Sequence, residues 1–303
     1  MSGAAPPGPG LRIARLALNV RDIGRAATFY QHALGFRPLG TARPAARERA
    51  ALLGGPFESL TMALGDTRLE LSRFLASSAP YPADSHANDL WFQHFAITCH
   101  DIDALAHRVT DCGGRPITRE GPQKLPGASG GVSAYKVRDP DGHPLELLAP
   151  ATSPQPAPSQ ARGSPPARGH AIDHTALSVS DCGRAVAFYE GVLGLTPGSQ
   201  HTNAGPEQER LDDLPGVRVR VVTLLAAPPG PHLELLGYEE PRGRRRALAA
   251  TDIAATRTVL ETTDLTALER RPGAYRQPPF RRLADAAMAR DEDGHWLLIE
   301  QRP

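Results

Sequence analysis

Two stretches of the chain alternate as a half-buried strand does and then break on an aspartate: FQHFAITCHD at 92–101 and IDHTALSVSD at 172–181. Small and β-branched side chains recur along them at the period of a pleated strand. Each opens with a histidine near its head, His94 or His174, a polar side chain in an otherwise apolar pattern. Elsewhere the period changes past the aspartate. In LNVRDIGRAATFYQHALGF (18–36) and LSVSDCGRAVAFYEGVLGL (177–195), Asp22 and Asp181 stand at the N-cap of a predicted helix. The FY pair and the following leucine fall about one turn apart on it. Gly35 or Gly194 ends it.

These last two stretches are copies of one another, and a repeat on that scale sets the domain plan. Strand-like segments follow each copy: TRLELSRF at 67–74, then GVRVRVVTLL and HLELLGY at 216–225 and 232–238. The plan restarts inside each half. HFAITCHDIDALAHRV (94–109) and RTVLETTDLTALERR (257–271) again read strand, aspartate, helix, and each leads on to a turn and a strand, DPDGHPLELLAP or DEDGHWLLIEQRP. The order is strand, helix, then about three strands, four times over. Residues 151–169, ATSPQPAPSQARGSPPARG, hold too little apolar surface to build a core. The chain therefore divides into residues 11–149, a linker over 150–169, and residues 170–303, with two βαβββ modules in each half.

Composition narrows the class without choosing a chemistry. Apolar residues at 40% and charged ones at 22% give a globular balance. A net charge of +1 argues against a nucleic-acid or membrane surface built on bulk charge. The basic run RGRRR at 242–246 follows a proline and reads as a solvated loop. No apolar stretch approaches the roughly 20 residues of a membrane span, and MSGAAPPGPG has neither the basic start nor the apolar core of a signal peptide. Cys99, Cys112 and Cys182 are odd in number and lack CxxC spacing, which argues against disulfide frameworks and thiolate zinc sites. A cytoplasmic protein with no nucleic-acid or membrane partner is the expectation.

The strand–Asp–GRAxxFY helix ending in LG, the DPDGHPLEL hairpin and the histidine-headed strands together resemble the vicinal oxygen chelate (VOC) superfamily. That superfamily includes glyoxalase I, extradiol dioxygenases and the bleomycin-resistance binding proteins. The resemblance covers nearly the whole chain apart from the linker and the first ten residues. It implies an α+β fold: four βαβββ modules forming two tandem VOC (glyoxalase-like) domains, with curved, mainly antiparallel sheets around a concave site. It leaves the reaction open, because the same fold hosts isomerases, lyases, dioxygenases, thiol transferases and pure binders.

The family pattern would put metal ligands at the head of each module's first strand and the middle of its last. Counted back from Asp22, Asp101, Asp181 and Asp264, the heads are Arg15, His94, His174 and Arg257. The last strands carry Glu70, Glu146, Glu234 and Leu298, with Glu300 two residues further along the same face. If modules pair in sequence, the first half offers Glu70, His94 and Glu146 beside Arg15, and the second offers His174 and Glu234 facing Arg257 and Leu298. If modules two and three pair instead, His94, Glu146, His174 and Glu234 form one two-His, two-Glu site. Arg15 and Arg257 then replace the cation in a dead second site. The second arrangement is favoured here, because it explains why the ligands cluster in mid-chain.

Imidazole nitrogen and carboxylate oxygen together suit a divalent ion such as Ni, Co, Mn, Fe or Zn, with positions left for substrate. A glutamate between leucines, as in Leu145-Glu146-Leu147 and Leu233-Glu234-Leu235, points away from its neighbours, to solvent or to the concave site. The resemblance then implies, first, a metal-dependent glyoxalase-type isomerase or lyase. It would act on a small oxygen-chelating substrate through a metal-stabilised enediolate, with Glu146 or Glu234 moving the proton. The alternatives are an extradiol-type dioxygenase with Fe(II), which needs two His and one carboxylate, and a metal-free small-molecule binding or resistance protein. Lys124 in GPQKLPGASGG (121–131) and Arg210 in HTNAGPEQERLDDLPG (201–216) are candidate contacts for an anionic substrate group. His100, His143, His232 and His295 read as turn or strand-edge residues. A homodimer stays open as the assembly, since domains of this fold often close their sites across subunits.

Overall fold

Every module turns from strand to helix at an aspartate. Asp22, Asp101, Asp181 and Asp264 have extended backbones, and each carboxylate accepts the amide N–H three residues on, at 2.8, 2.9, 3.0 and 2.9 Å. Each such cap satisfies a first-turn donor that the helix leaves bare, a contribution of about 1 kcal/mol. The computed structural model describes residues 10–76, 78–127, 130–151, 167–271 and 281–302. Most of the 150–169 linker and part of the 121–131 loop lie outside them.

Module one runs β1 (Arg12–Asn19), α1 (Ile23–Phe29), β2 (Arg37–Pro38), β3 (Arg43–Pro44), α2 (Arg47–Leu53), β4 (Phe57–Leu64) and β5 (Thr67–Phe74). Module two runs β6 (Gln93–Thr98), α3 (Ile102–Asp111), β7 (Arg115–Pro116), β8 (Gln123–Lys124), β9 (Ser133–Arg138) and β10 (Pro144–Ala149). Module three has β11 (Ile172–Ser178), α4 (Cys182–Phe188), β12 (Thr196–Ala204), α5 (Pro206–Asp212), β13 (Arg218–Leu225) and β14 (His232–Glu240). Module four has β15 (Arg257–Thr262), α6 (Leu265–Glu269), β16 (Arg281–Arg282), β17 (Ala286–Arg290) and β18 (Trp296–Gln301). The GRAxxFY helices α1 and α4 each relax into a π-helical turn that ends on a left-handed glycine, Gly35 (φ 89°) or Gly194 (φ 77°). Parts of the segments at 121–131 and 201–216 are regular: β8 lies in the first, and the end of β12 and all of α5 lie in the second.

The described strands form two open sheets, and neither is made by one half of the chain. One has the order β16-β17-β18-β15-β1-β5-β4-β2, which joins modules four and one. The other has the order β12-β13-β14-β11-β6-β10-β9-β7, which joins modules three and two. The joints are antiparallel, β1 on β15 and β11 on β6. Inside each module the first strand lies parallel to the last, as β6 does to β10 and β11 to β14. The sequential pairing of modules is therefore not the one adopted.

Cores follow the other division. Leu16, Phe29 and Tyr30 of module one pack with Phe95, Ile97, Leu105 and Leu147 of module two. Leu177, Tyr189, Leu233 and Leu235 of module three pack with Leu260, Leu265 and Ile299 of module four. Modules of the same half share a core between the sheets, and modules of different halves share a sheet. Both halves thus become inseparable parts of two layers.

Two turns lock the module ends. In the DPDGH turn, Asp139 Oδ1 accepts the amides of Asp141, Gly142 and His143, while Oδ2 takes the Tyr30 hydroxyl at 2.8 Å. Asp291 repeats this with Asp293, Gly294, His295 and Tyr189. His143 and His295 are thus buried turn residues, as expected. The RGRRR run is an exposed loop, as expected, but its arginines are paired: Arg244 grips Asp84 and Asp89, Arg245 grips Asp293, and Arg244 and Arg246 lie over Trp91. No helix among the described residues is long and apolar enough to cross a membrane.

Candidate metal centre

The β11–β6 joint brings two histidines from opposite halves onto one face. Across that face the strands register Lys136, Glu146, Ala96, His174 and His232 in one row. A second row registers His94, Ala176 and Glu234. Alternation sends Leu145, Leu147, Leu233 and Leu235 the other way, into the two cores. Ala96 and Ala176, both fully buried, are too small to fill the middle of the face. The four longer side chains converge over them.

His94 Nε2 lies 3.3 Å from Glu146 Oε2, and His174 Nε2 lies 3.6 Å from both Glu146 Oε2 and Glu234 Oε2. The two imidazole rings are 5.8 Å apart. Donor atoms of His94, Glu146 and His174 all fall within 4.8 Å of one another. His94 Nδ1 and Nε2 and His174 Nε2 are nevertheless buried without an aligned hydrogen-bond acceptor. The carboxylates are near enough to attract, but not oriented to accept. Buried polar atoms rarely stay unpaired, and two of these, His94 Nε2 and His174 Nε2, lie beside Glu146 in a way that fits a cation. His174 Nδ1 is tied to Asp173 Oδ2 at 2.9 Å, which leaves Nε2 free to coordinate.

The electrostatics agree. Burial works against charge on Glu146, but the adjoining His174 and His94 rings and the charge of Lys136 hold its carboxyl well below the usual range. Burial likewise opposes charge on His174, yet Glu234, Asp173 and Glu146 push it up to about 10. Burial and the Lys136 charge both push His94 down. Without an ion, a proton on His174 supplies the positive charge between the carboxylates. A divalent ion would displace that proton, so binding would release it.

The centre opens onto a cavity of about 410 Å³, with Leu125, Val132, Leu148, Val219 and Leu236 in its walls. Polar groups that composition did not single out also border it. Lys136 is buried and donates to Asp212 Oδ1 at 2.6 Å, and Asp212 Oδ2 accepts Gln208 Nε2 at 2.7 Å and the Tyr238 hydroxyl at 3.0 Å. His232, read as a strand-edge residue, packs its ring 5.2 Å from that of His174 and borders the cavity. Lys124 and Arg210 do not border it. Lys124 is exposed, and Arg210 is held by Gln123 Oε1 at 2.7 Å and by Glu120 and Glu207. The cation facing the cavity is Lys136, whose signal in sequence was its place opposite Glu146 in SAYKVR.

The set Glu70, His94 and Glu146 does not come together. Glu70 lies in the other sheet, where its Oε2 accepts Arg15 Nε at 2.8 Å. There Arg15 also grips Glu300 with two nitrogens, at 2.8 and 3.0 Å, and Arg49 pairs with the same carboxylate. A guanidinium fills the place between carboxylates that an ion would take.

A four-module, two-sheet fold with a His/Glu cluster in one concave face defines a class: paired βαβββ modules around a metal-capable centre. The chain belongs to the Glyoxalase/Bleomycin resistance protein/Dioxygenase superfamily, whose family model matches residues 12–147 and 171–299. It is 29% identical over 187 residues to the lactoylglutathione lyase GLX1 of Arabidopsis thaliana, covering 61% of this chain and 55% of that protein. It is also 29% identical over 139 residues to the lactoylglutathione lyase of Haemophilus influenzae, covering 46% of this chain and 92% of that protein. The chain spans about half the length of the plant relatives it matches. The crystal structure of glyoxalase I from Zea mays superposes with a TM-score of 0.61 at 17% identity, over 96% of this chain and 92% of that one, a likeness of fold.

Proposed function

We propose that this chain is a divalent-metal-dependent lyase or isomerase of glyoxalase type acting on a small substrate that presents two oxygens. The observation that carries the reading is the meeting of His94, Glu146, His174 and Glu234 at a cavity, with imidazole nitrogens that lack acceptors. Those four side chains would hold the ion. When bound, it supplies Lewis-acid stabilisation of negative charge on substrate oxygens. Glu234, less buried than Glu146 and bordering the cavity, is the carboxylate placed to take and return a proton. Glu146, close to both histidines, holds the centre. Lys136 adds a fixed positive charge beside Glu146 and steadies an anionic substrate group in place of Lys124 and Arg210.

Glutathione adducts of 2-oxoaldehydes are the first substrates to test, since relatives are named for lactoylglutathione. The assay follows thioester formation without oxygen, using protein reloaded separately with Ni(II), Co(II), Mn(II) and Zn(II). Glu234→Gln should keep the ion and lose at least about a hundredfold in kcat. A Glu234→Gln enzyme as active as the wild type would refute its role. The triad His94, His174 and Glu146 also matches the two-His, one-carboxylate set of Fe(II) oxygenases. Oxygen uptake with a catechol, and no thioester, would move the reading there. No ion after reloading would leave a binding protein.

A further inference from the structure

The second sheet repeats the ligand geometry with other residues. Its rows register Thr61, Glu70, Ala17, Arg257 and Trp296, then Arg15, Val259 and Leu298. Compared with the metal-capable face, Arg257 stands where His174 does and Leu298 where Glu234 does. Of the two carboxylates beside His174, Glu234 therefore has no counterpart beside Arg257. Glu300 does not substitute, because Arg15 and Arg49 already hold both its oxygens.

Arg257 is fully buried. Its Nη1 donates to Asn19 Oδ1 at 2.7 Å and to the Ala250 carbonyl at 3.3 Å, and its guanidinium lies 5.8 Å from the Phe74 ring centre. Its Nε and Nη2 have no partner, and a buried Arg49 Nη2 has none either. Nε and Nη2 form one edge of the guanidinium plane, the edge that takes two oxygens of one anion side by side. Three guanidinium groups, Arg15, Arg49 and Arg257, face two carboxylates, Glu70 and Glu300, so one positive charge is in excess. Burial and the neighbouring Arg49 and Arg15 push the Arg257 guanidinium down to about 10, only partly offset by Glu70.

We infer that this second centre binds a small oxyanion, of the size of a carboxylate or phosphate group, on the unpaired edge of Arg257 with Arg49 beside it. The anion supplies the charge that Leu298 removed. The inference does not rest on the metal reading, since it concerns the other sheet.

The test is thermal unfolding of the full chain titrated with sodium formate and, separately, sodium phosphate, at ionic strength held constant with sodium chloride. The wild type should show a saturable rise in unfolding temperature with at least one oxyanion. Formate alone indicates a carboxylate site, and phosphate alone a tetrahedral one. Arg257→Lys keeps the charge but loses the two-donor edge, and should raise the half-saturating concentration by about tenfold or more. Arg49→Gln alters a partly exposed side chain, leaves Glu300 paired with Arg15, and should weaken the response; it decides the matter if Arg257→Lys does not fold. His174→Ala should respond as the wild type does. The inference fails if neither oxyanion gives a saturable shift beyond chloride, if Arg49→Gln and Arg257→Lys respond like the wild type, or if His174→Ala abolishes the response.

Discussion

His94 and His174 lie 80 residues apart, in different halves of the chain, yet both face the Glu146 carboxylate. Each histidine replaced singly by alanine should therefore cost the same single ion. Structural zinc held by four protein ligands carries an apparent binding free energy of about 10–16 kcal/mol, or about 3 kcal/mol per ligand. Losing one of four ligands then weakens binding by about two orders of magnitude. The loss should be similar for the two variants, because both imidazoles are buried and both approach Glu146 within 3.6 Å. The assay is competition with a chromophoric chelator for Zn(II) and Ni(II), with metal content of the purified protein as a second readout. The wild type should hold about one ion per chain and each variant far less under the same competition. A variant that keeps wild-type affinity shows that its histidine is not a ligand, and two ions per chain would refute the single shared centre.

Asp173 fixes the ring of His174 by a 2.9 Å hydrogen bond, but its side chain is 40% exposed. Asp173→Asn should therefore weaken the ion by about tenfold, the low end for such supporting contacts, read in the same competition. Tyr30→Phe removes a buried hydroxyl from the Asp139 carboxylate, which keeps its bond to His143. It should destabilise by about 1.5 kcal/mol in urea titration, and no change would deny the turn its role. Burial opposes charge on Asp139, but His143 and the Tyr30 hydroxyl hold its carboxyl below the ordinary value. A folded value below the unfolded one stabilises above about pH 4 and fades as pH falls through the folded value, so the acid loss of stability should be shallower in Asp139→Asn. A protease site inserted between Ala151 and Ala167 should leave the cut halves as one complex with its ion, because both sheets join the halves. Gel filtration showing two separate halves would contradict the topology.

The modules and their helix starts were legible because they depend on local rules. An aspartate after an alternating strand caps the next helix wherever the strand pairs, and all four do so. Which module pairs with which depends on the β1–β15 and β6–β11 joints, and those contacts leave no period in the sequence. Only the placement of candidate ligands in mid-chain favoured the exchange. His94, Glu146, His174 and Glu234 followed from alignment of the repeats. Lys136 did not, since a lysine in an alternating strand looks like an outward charge until Asp212 from another module, itself held by the Tyr238 hydroxyl, pairs with it. Lys124 and Arg210 misled for the opposite reason. They sit in polar loops, but the loops fold back, and Arg210 is used in joining α5 to the β8 segment.

The two sheets act as controls for one another. Both place a glutamate across an alanine from a basic residue: Glu146, Ala96 and His174 in one, Glu70, Ala17 and Arg257 in the other. Imidazole gives up a proton at moderate cost, so carboxylates around it can exchange that proton for a metal ion. Guanidinium does not give one up, and Arg15 lies between Glu70 and Glu300 with hydrogen bonds to both. The cation is then part of the chain and cannot be exchanged. The arginine-bearing sheet carries its positive charge on the chain itself, with one guanidinium more than the carboxylates it faces. Under the proposed function the histidine-bearing sheet would keep that exchange, and it holds three buried imidazole nitrogens with no acceptor among the described residues. Unpaired buried nitrogens stand in both sheets, so each leaves a place for a group from outside: a cation at the histidines under the proposed function, an anion at Arg257 under the further inference.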